Sequence, residues 1–471
     1  MKRKSIITLT VATLLLVLLT VLTGCPDDSK EEDPFRIRER EGSAKVLGNG
    51  TAGTGTKVTV KSASDWMDEY ANNVTSYQSN EENNEHYNYP DEYTFLQTVY
   101  EGMAFFKFYN SARGHTFSLE DLYKTGRPHP LGNCFACKTP DFHALVSEKG
   151  NDQYLVPFPP PEGTPDPVYG PTATYPNGGM KANITNPISC FNCHANEPGK
   201  ITVTHLYLSD ALGGDLKKIN TGSIACAQCH VEYYFGPSNS ATPSAVILPY
   251  KGLGKMNPDD ILKYYNDMVV PGATAGTTIK GFADYTNPKT GVRQIKIQHP
   301  EFETYYGKGG VHKAGGSSNP KTDFACADCH MPEAGSGADA YISHRWGSPL
   351  DNVTLINDVC SDCHTVPGIK SQVQAIQDHI HDWAVEIGEN IESFTKDLAA
   401  LIADTTKPEY TLTSENLANI RQLARNAQFY WDFVWVENSN GAHNSKLSAD
   451  CLEKAEKLLE QAQTALDALT S

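Results

Sequence analysis

Ten of the twelve cysteines in this 471-residue chain stand in five Cys-x-x-Cys pairs, and the residue after each pair sets the pairs apart. Four runs end in histidine: Cys190/Cys193/His194, Cys226/Cys229/His230, Cys326/Cys329/His330 and Cys360/Cys363/His364. The earliest run, Asn133-Cys134-Phe135-Ala136-Cys137-Lys138, has lysine in that place. Cysteines at i and i+3 can form thioethers with the two vinyl groups of a haem, and the next residue is then placed to ligate the iron. Zinc ribbons also pair Cys-x-x-Cys knuckles, but a histidine following the second cysteine has no role there. Four complete runs and one lysine variant therefore read as five covalently held c-type haems. A primary amine is a different axial donor from imidazole. The haem at Lys138 is thus singled out as the place for chemistry, and the other four read as electron carriers.

Such a chain is organised around haem rather than around a continuous aliphatic core, because haem faces supply much of the apolar surface. Residues 61–366 agree with this: they are rich in Gly, Pro, Tyr and Asn, and their regular patterns are short. The last hundred residues differ. Val373, Ile376, Ile380, Trp383, Ile387, Ile391, Phe394, Leu398 and Leu401 recur at spacings of three and four, which predicts a long amphipathic helix ending before Pro408. A second helix is expected from Ser414 to Val436 and a third from Ser448 to Leu469. The expected class is mainly α: a multihaem cytochrome c fold with short irregular β, a haem-organised core and long C-terminal helices. Residues 367–471 are expected to form a helical region and dimer interface, with packing on the chain's own haem body as the alternative.

The chain opens Met1-Lys2-Arg3-Lys4, runs apolar from Ile6 to Leu22, and reaches Leu22-Thr23-Gly24-Cys25. A basic start, a short apolar core and a small-residue cleavage site describe a secretory signal. The cysteine after Gly24 makes it resemble a bacterial lipoprotein signal. Residues 1–24 are then a signal peptide, Cys25 a lipidation site, and the protein extracytoplasmic and lipid-anchored; an uncleaved membrane helix is the alternative. Residues 25–60, polar and Gly/Thr-rich, read as a flexible tether. Only Cys451 is left outside the haem runs and the lipid site, so no structural disulfide is expected. Thirty-nine basic against 56 acidic residues give a net charge of −17, which argues against nucleic acid or an acidic membrane as partner. An anionic substrate would need a local positive site to overcome that field.

With one Cys-x-x-Cys-Lys and four Cys-x-x-Cys-His runs in this order, the chain resembles the pentahaem, ammonia-forming cytochrome c nitrite reductases from about residue 90 onward. Val231-Glu232-Tyr233-Tyr234-Phe235, after the third haem run, and Lys296-Ile297-Gln298-His299-Pro300 strengthen the resemblance. It implies a six-electron reduction of nitrite to ammonium at the haem ligated by Lys138, with Tyr233 and His299 in the distal pocket. It also implies calcium held by the side chains of Glu232 and Gln298 and the backbone carbonyls of Tyr233 and Lys296; oxygen ligands and a carboxylate suit calcium chemically as well.

The family's pocket arginine has no direct match. Where better-known members place it just before Thr-Gly, this chain has Lys124, in Leu122-Tyr123-Lys124-Thr125-Gly126-Arg127-Pro128. Arg127 is the preferred pocket cation, because a guanidinium can hold a bent anion with two hydrogen bonds, and Lys124 is the alternative. By the same resemblance, His194, His230, His330 and His364 are proximal ligands. His344 would complete the second haem, His115 the third, His443 the fourth and His312 the fifth. That leaves His86, His129, His143, His205, His379 and His381 as surface or packing histidines. The implied partners are nitrite, a membrane quinol-oxidising multihaem cytochrome as electron donor, and a second copy of the chain in a homodimer. The rival readings are an electron-transfer cytochrome without catalysis and a related multihaem enzyme acting on hydroxylamine or sulfite.

Overall fold

The computed structural model describes residues 45–46, 53–124, 131–156, 184–235, 246–272, 274, 276–310, 312, 324–404, 406 and 414–470. The signal segment, Cys25, most of the tether and Arg127 lie outside them. The described chain is mainly helical, and its strands form only two-stranded ladders of two or three residues.

Local chemistry explains why the helices of the body are short. Pro258 occupies the first turn of the helix Pro258–Asp267, where its missing N–H costs nothing. Asn257 caps it by accepting from the Asp260 amide at 3.0 Å. The same device recurs after Lys138, where Thr139 caps and Pro140 opens the helix Pro140–Lys149. Two attachment runs are single helical turns, Cys190–His194 and Cys326–His330. The third residue of each motif ties down its own start: Asn192 accepts from the Ser189 amide at 3.0 Å and Asp328 from the Ala325 amide at 2.6 Å. A helical turn brings i, i+3 and i+4 to one face, so both thiols and the ligating residue face the same side.

Three long helices close the chain: Val366–Ala403, Ser414–Trp435 and Ser445–Thr470. The stripe of the first, including Ile380, Ile387, Ile391, Phe394, Leu398 and Leu401, is buried within the chain itself. At Gly388 a Cβ would lie 2.5 Å from the Phe95 ring, so glycine is what lets this helix approach the body. Trp431 of the second helix donates its indole N–H to the Ala384 carbonyl at 2.7 Å, and Trp435 meets Tyr93 edge-on at 4.9 Å. Arg425 reaches the Asn266 side chain at 3.0 Å and the carbonyls of Arg293 and Phe282. From Ile380 onward the stripe of the first helix is thus packed on the chain's own body, while Val373, Ile376 and Trp383 of the same stripe are only half-buried.

Candidate haem cavity and active site

Residues from all five attachment runs line one cavity of about 2560 Å³, well beyond the roughly 300–1,000 Å³ of a pocket for one small ligand. Nine of the ten motif cysteines contribute to the lining, Cys134 being the exception. His115, His312, His344 and His443 line it too.

The histidines meet in four pairs. Ring centroids lie 6.3 Å apart for His194 and His344, 6.1 Å for His230 and His115, 6.1 Å for His330 and His443, and 6.3 Å for His364 and His312. A metal bound by two imidazole nitrogens at about 2.0 Å each separates the ring centres by about 6 Å. Ring orientation fits as well. Nδ1 of His194 bonds the Lys200 carbonyl at 2.9 Å, that of His330 the Gly347 carbonyl at 3.0 Å, and that of His344 the Ile342 carbonyl at 2.9 Å. His443 Nδ1 bonds the Glu437 carboxylate at 2.6 Å. With Nδ1 engaged, Nε2 is the nitrogen left for iron. These residues fit a c-type haem between each pair.

Contacts around the thiols order the runs in space. The Tyr207 hydroxyl lies 3.4 Å from the Cys137 thiol of the lysine run and donates to the Gln228 carbonyl of the third motif, and the Cys326 amide of the fourth motif donates to the Ser223 hydroxyl just ahead of the third at 3.2 Å. The third motif therefore sits between the lysine run and the fourth. Cys363 departs from expectation in being disulfide-bonded. A thioether at Cys363 would exclude that bond.

The lysine run also differs in backbone. The His230 and His364 amides reach back to the carbonyl of the first cysteine, at 3.0 and 2.9 Å, whereas the Lys138 amide bonds the Phe135 carbonyl at 3.0 Å, a tighter turn. Ser118 donates to the Lys138 carbonyl at 2.8 Å and fixes the exit of the run. Lys138, Tyr233, Gln298 and His299 share the cavity wall. His299 has its Nδ1 3.9 Å from one oxygen of Glu301, and His230 has its own 3.7 Å from the other. Burial lowers the His299 pKa, with Glu301 opposing and His230 and Lys138 reinforcing. Burial alone would raise the Glu301 pKa, but the two imidazoles hold it well below the usual carboxylate range.

Of the two candidate pocket cations, Arg127 is outside the described residues. Lys124 reaches the cavity wall, but its side chain is 72% exposed and its ammonium pairs with Glu120. Sequence reasoning passed over Arg113, whose guanidinium is held by Asp121, Glu120 and Asn84 at the cavity edge.

Glu232 is excluded from solvent, accepting from the Tyr265 hydroxyl at 2.6 Å and the Gln298 amide at 2.7 Å. Burial pushes its pKa up to about 8. The Gln298 side chain in turn donates to the Lys296 carbonyl at 3.0 Å. Nearby, Asp284 has a buried oxygen without a hydrogen bond, and burial raises its pKa to about 7. Among the described residues no three His, Cys, Asp or Glu side chains form a metal cluster. Amide and carbonyl oxygens beside a carboxylate are nevertheless a hard donor set that fits calcium. The one buried ammonium close by, Lys296, is taken by Asp432 at 3.1 Å.

The remaining histidines mostly pack. His143 and His205 are buried against each other with ring centres 3.5 Å apart and planes tilted by 31°, and His381 bonds the Tyr93 hydroxyl at 3.0 Å. His86 is exposed, and His129 lies outside the described residues.

Five attachment runs on a mainly helical body with four facing histidine pairs define a multihaem c-type cytochrome. The chain belongs to the cytochrome c552 family, whose model matches residues 62–471. It is 32% identical over 368 residues to a cytochrome c-552 of Aliarcobacter butzleri, covering 74% of this chain and 64% of that relative's length. It is 28% identical over 389 residues to the cytochrome c nitrite reductase subunit NrfA of Nitratidesulfovibrio vulgaris, covering 78% and 67%. In fold it matches the cytochrome c nitrite reductase of Desulfovibrio desulfuricans with a TM-score of 0.71 and 24% identity, over 86% of each chain. The catalytic subunit of that protein has two calcium sites.

Proposed function

We propose that this protein is a dissimilatory, ammonia-forming nitrite reductase. The reaction takes one nitrite, six electrons and eight protons to one ammonium and two waters. The observation that carries the reading is the shared wall of Lys138, Tyr233, Gln298 and His299 in a cavity that also holds four facing histidine pairs.

When bound, the haems supply substrate coordination and electron storage; the side chains do the rest. Lys138 would hold the iron of the catalytic haem. His194/His344, His230/His115, His330/His443 and His364/His312 would hold the irons of the carriers. Nδ1 of His299 faces Glu301, which leaves Nε2 as the atom that gives or takes a proton at the substrate. Tyr233 supplies a second donor, its hydroxyl, and Arg127 is the cation that holds the anion. Glu232, Gln298 and the carbonyls of Tyr233 and Lys296 would hold calcium, which stiffens the wall carrying His299 and adds positive potential. In a chain of net charge −17, that local positive site draws nitrite in, and the acidic exterior favours departure of ammonium.

No described helix is long and apolar enough to cross a membrane. Lipidation at Cys25 would hold the protein at an extracytoplasmic membrane surface beside a quinol-oxidising multihaem cytochrome, its electron donor, and the working form is a homodimer.

The deciding test is nitrite consumption by purified holoprotein with a reduced viologen, ammonium being counted in the same vessel. One ammonium per nitrite is expected. No consumption with five reducible haems would leave an electron carrier, or an enzyme of another substrate such as hydroxylamine or sulfite.

A further inference from the structure

Seven of the eight paired histidines have Nδ1 on a neutral group, beside a shared carboxylate, or with no partner among the described side-chain bonds; His443, facing His330, is held differently. Nδ1 of His443 bonds the Glu437 carboxylate at 2.6 Å, and that carboxylate is 1% exposed. Its other oxygen accepts from the Ser439 hydroxyl at 2.6 Å and the Ser439 amide at 3.3 Å. The Ser439 hydroxyl accepts in turn from the His443 amide at 2.9 Å. Backbone geometry encloses the cage. Asn440 and Gly441 both take positive φ, 48° and 86°, and fold the chain back so that His443 returns over Glu437. A Cβ at Gly441 would lie 2.8 Å from Ile380, so the turn is also pressed against the first long helix.

The contrast with the other ligands is one of charge. His194, His344 and His330 each give Nδ1 to a backbone carbonyl. Glu301 stands 3.7 Å from His230 and divides its charge with His299. Glu437 serves His443 alone among the described ion pairs, and no described lysine or arginine neutralises it. Nearby Lys446 is committed to Asp450.

We propose that Glu437 is a positioning residue that sets the reduction potential of the iron between His330 and His443; this rests on haem binding at that pair. An N–H donated to a buried carboxylate makes the imidazole a more basic ligand, and a more basic ligand favours ferric over ferrous iron. A fixed negative charge in a poorly screened interior acts in the same direction. The fourth haem is therefore held at a lower potential than a bis-histidine haem whose ligands face carbonyls. Its motif meets the helix of the third where the Cys326 amide donates to the Ser223 hydroxyl at 3.2 Å, so the low-potential step would stand next to the third haem. Electrons cross such a step without resting on it.

The test is Glu437→Gln in the full holoprotein, titrated spectroelectrochemically without substrate. The expected result is five haems, unchanged low-spin spectra, and one midpoint raised. At a fixed applied potential the ferric-to-ferrous ratio of that haem falls about tenfold, or about 59 mV for one electron. Glu437→Asp keeps the charge but lengthens the contact, and should move the same midpoint upward by less. If the Gln variant does not mature, the Asp variant decides alone. Unchanged midpoints in either variant with five haems bound overturn the proposal, since a merely structural role would lower haem content without moving one potential. Fewer than four low-spin bis-histidine signals in the wild-type holoprotein would instead overturn the pairing on which it rests.

Discussion

Lys296 and Asp432 form an ion pair 3.1 Å apart, with side chains 3% and 0% exposed, that joins the segment carrying His299 to the second long helix. Asp432 also accepts from the Ile297 amide at 2.8 Å and the Tyr100 hydroxyl at 2.5 Å. The C-terminal helices thus hold the candidate catalytic wall directly. Removing one partner leaves an uncompensated buried charge. Lys296→Met should therefore destabilise the holoprotein by about 3–5 kcal/mol, and Lys296→Met with Asp432→Leu by clearly less. Denaturant midpoints of the singles and the double check this; a double variant as unstable as the sum would show that the two charges do not couple.

The special place of Lys138 predicts a separation of haem content from turnover. Lys138→His, matured with five haems, should lose most nitrite reduction while its other haems still accept electrons. Wild-type turnover in that variant would remove the amine from the mechanism.

Glu232 predicts a dependence on pH that calcium should abolish. Its folded pKa of about 8 lies above the ordinary 4.5, because burial disfavours the anion. Between those values the folded state holds more protons than the unfolded one, so stability falls as pH rises. Bound calcium favours the ionised form and reverses the penalty. Thermal unfolding of chelated holoprotein should therefore weaken from pH 5 to 8, while calcium-loaded protein gains relative to it over the same window. Parallel profiles would place calcium elsewhere.

Arg127 and Lys124 can be told apart by substitution. Lys124 makes an exposed pair with Glu120, worth about 0–1 kcal/mol, so Lys124→Leu should leave nitrite kinetics and stability nearly unchanged. Arg127→Leu should raise KM and lower kcat. Steady-state kinetics that showed the loss only in the lysine variant would exchange the two roles.

Gly388 gives a purely mechanical prediction. A methyl group there meets the Phe95 ring at 2.5 Å, and Gly388→Ala should destabilise by about 1–3 kcal/mol although alanine is the better helix former. A calorimetric gain in stability would mean that Phe95 can move aside.

What the chain discloses about itself follows from how local the signal is. The candidate proximal ligands stand out because the motif is five residues long. The long helices are legible because period 3.6 repeats over many turns, and the second runs from Ser414 to Trp435, one residue short of expectation. The third begins three residues early, at Ser445, because Asn444 caps it by accepting from the Leu447 amide at 3.1 Å. The distal histidines follow from resemblance rather than pattern. His115 and His443 come from distant stretches, and nothing in their neighbours marks what faces them. Glu301, Asp432 and Glu437 were not legible at all. An acidic residue beside aromatic residues reads as an ordinary helix or loop position until the fold buries it against an imidazole or an ammonium.

The large cavity bears on what holds the body together. Its wall is drawn from stretches as distant in sequence as Trp66 and Lys446. Haems seated there would serve as interior surface for the whole body, so its short helices would owe much of their packing to the prosthetic groups they carry.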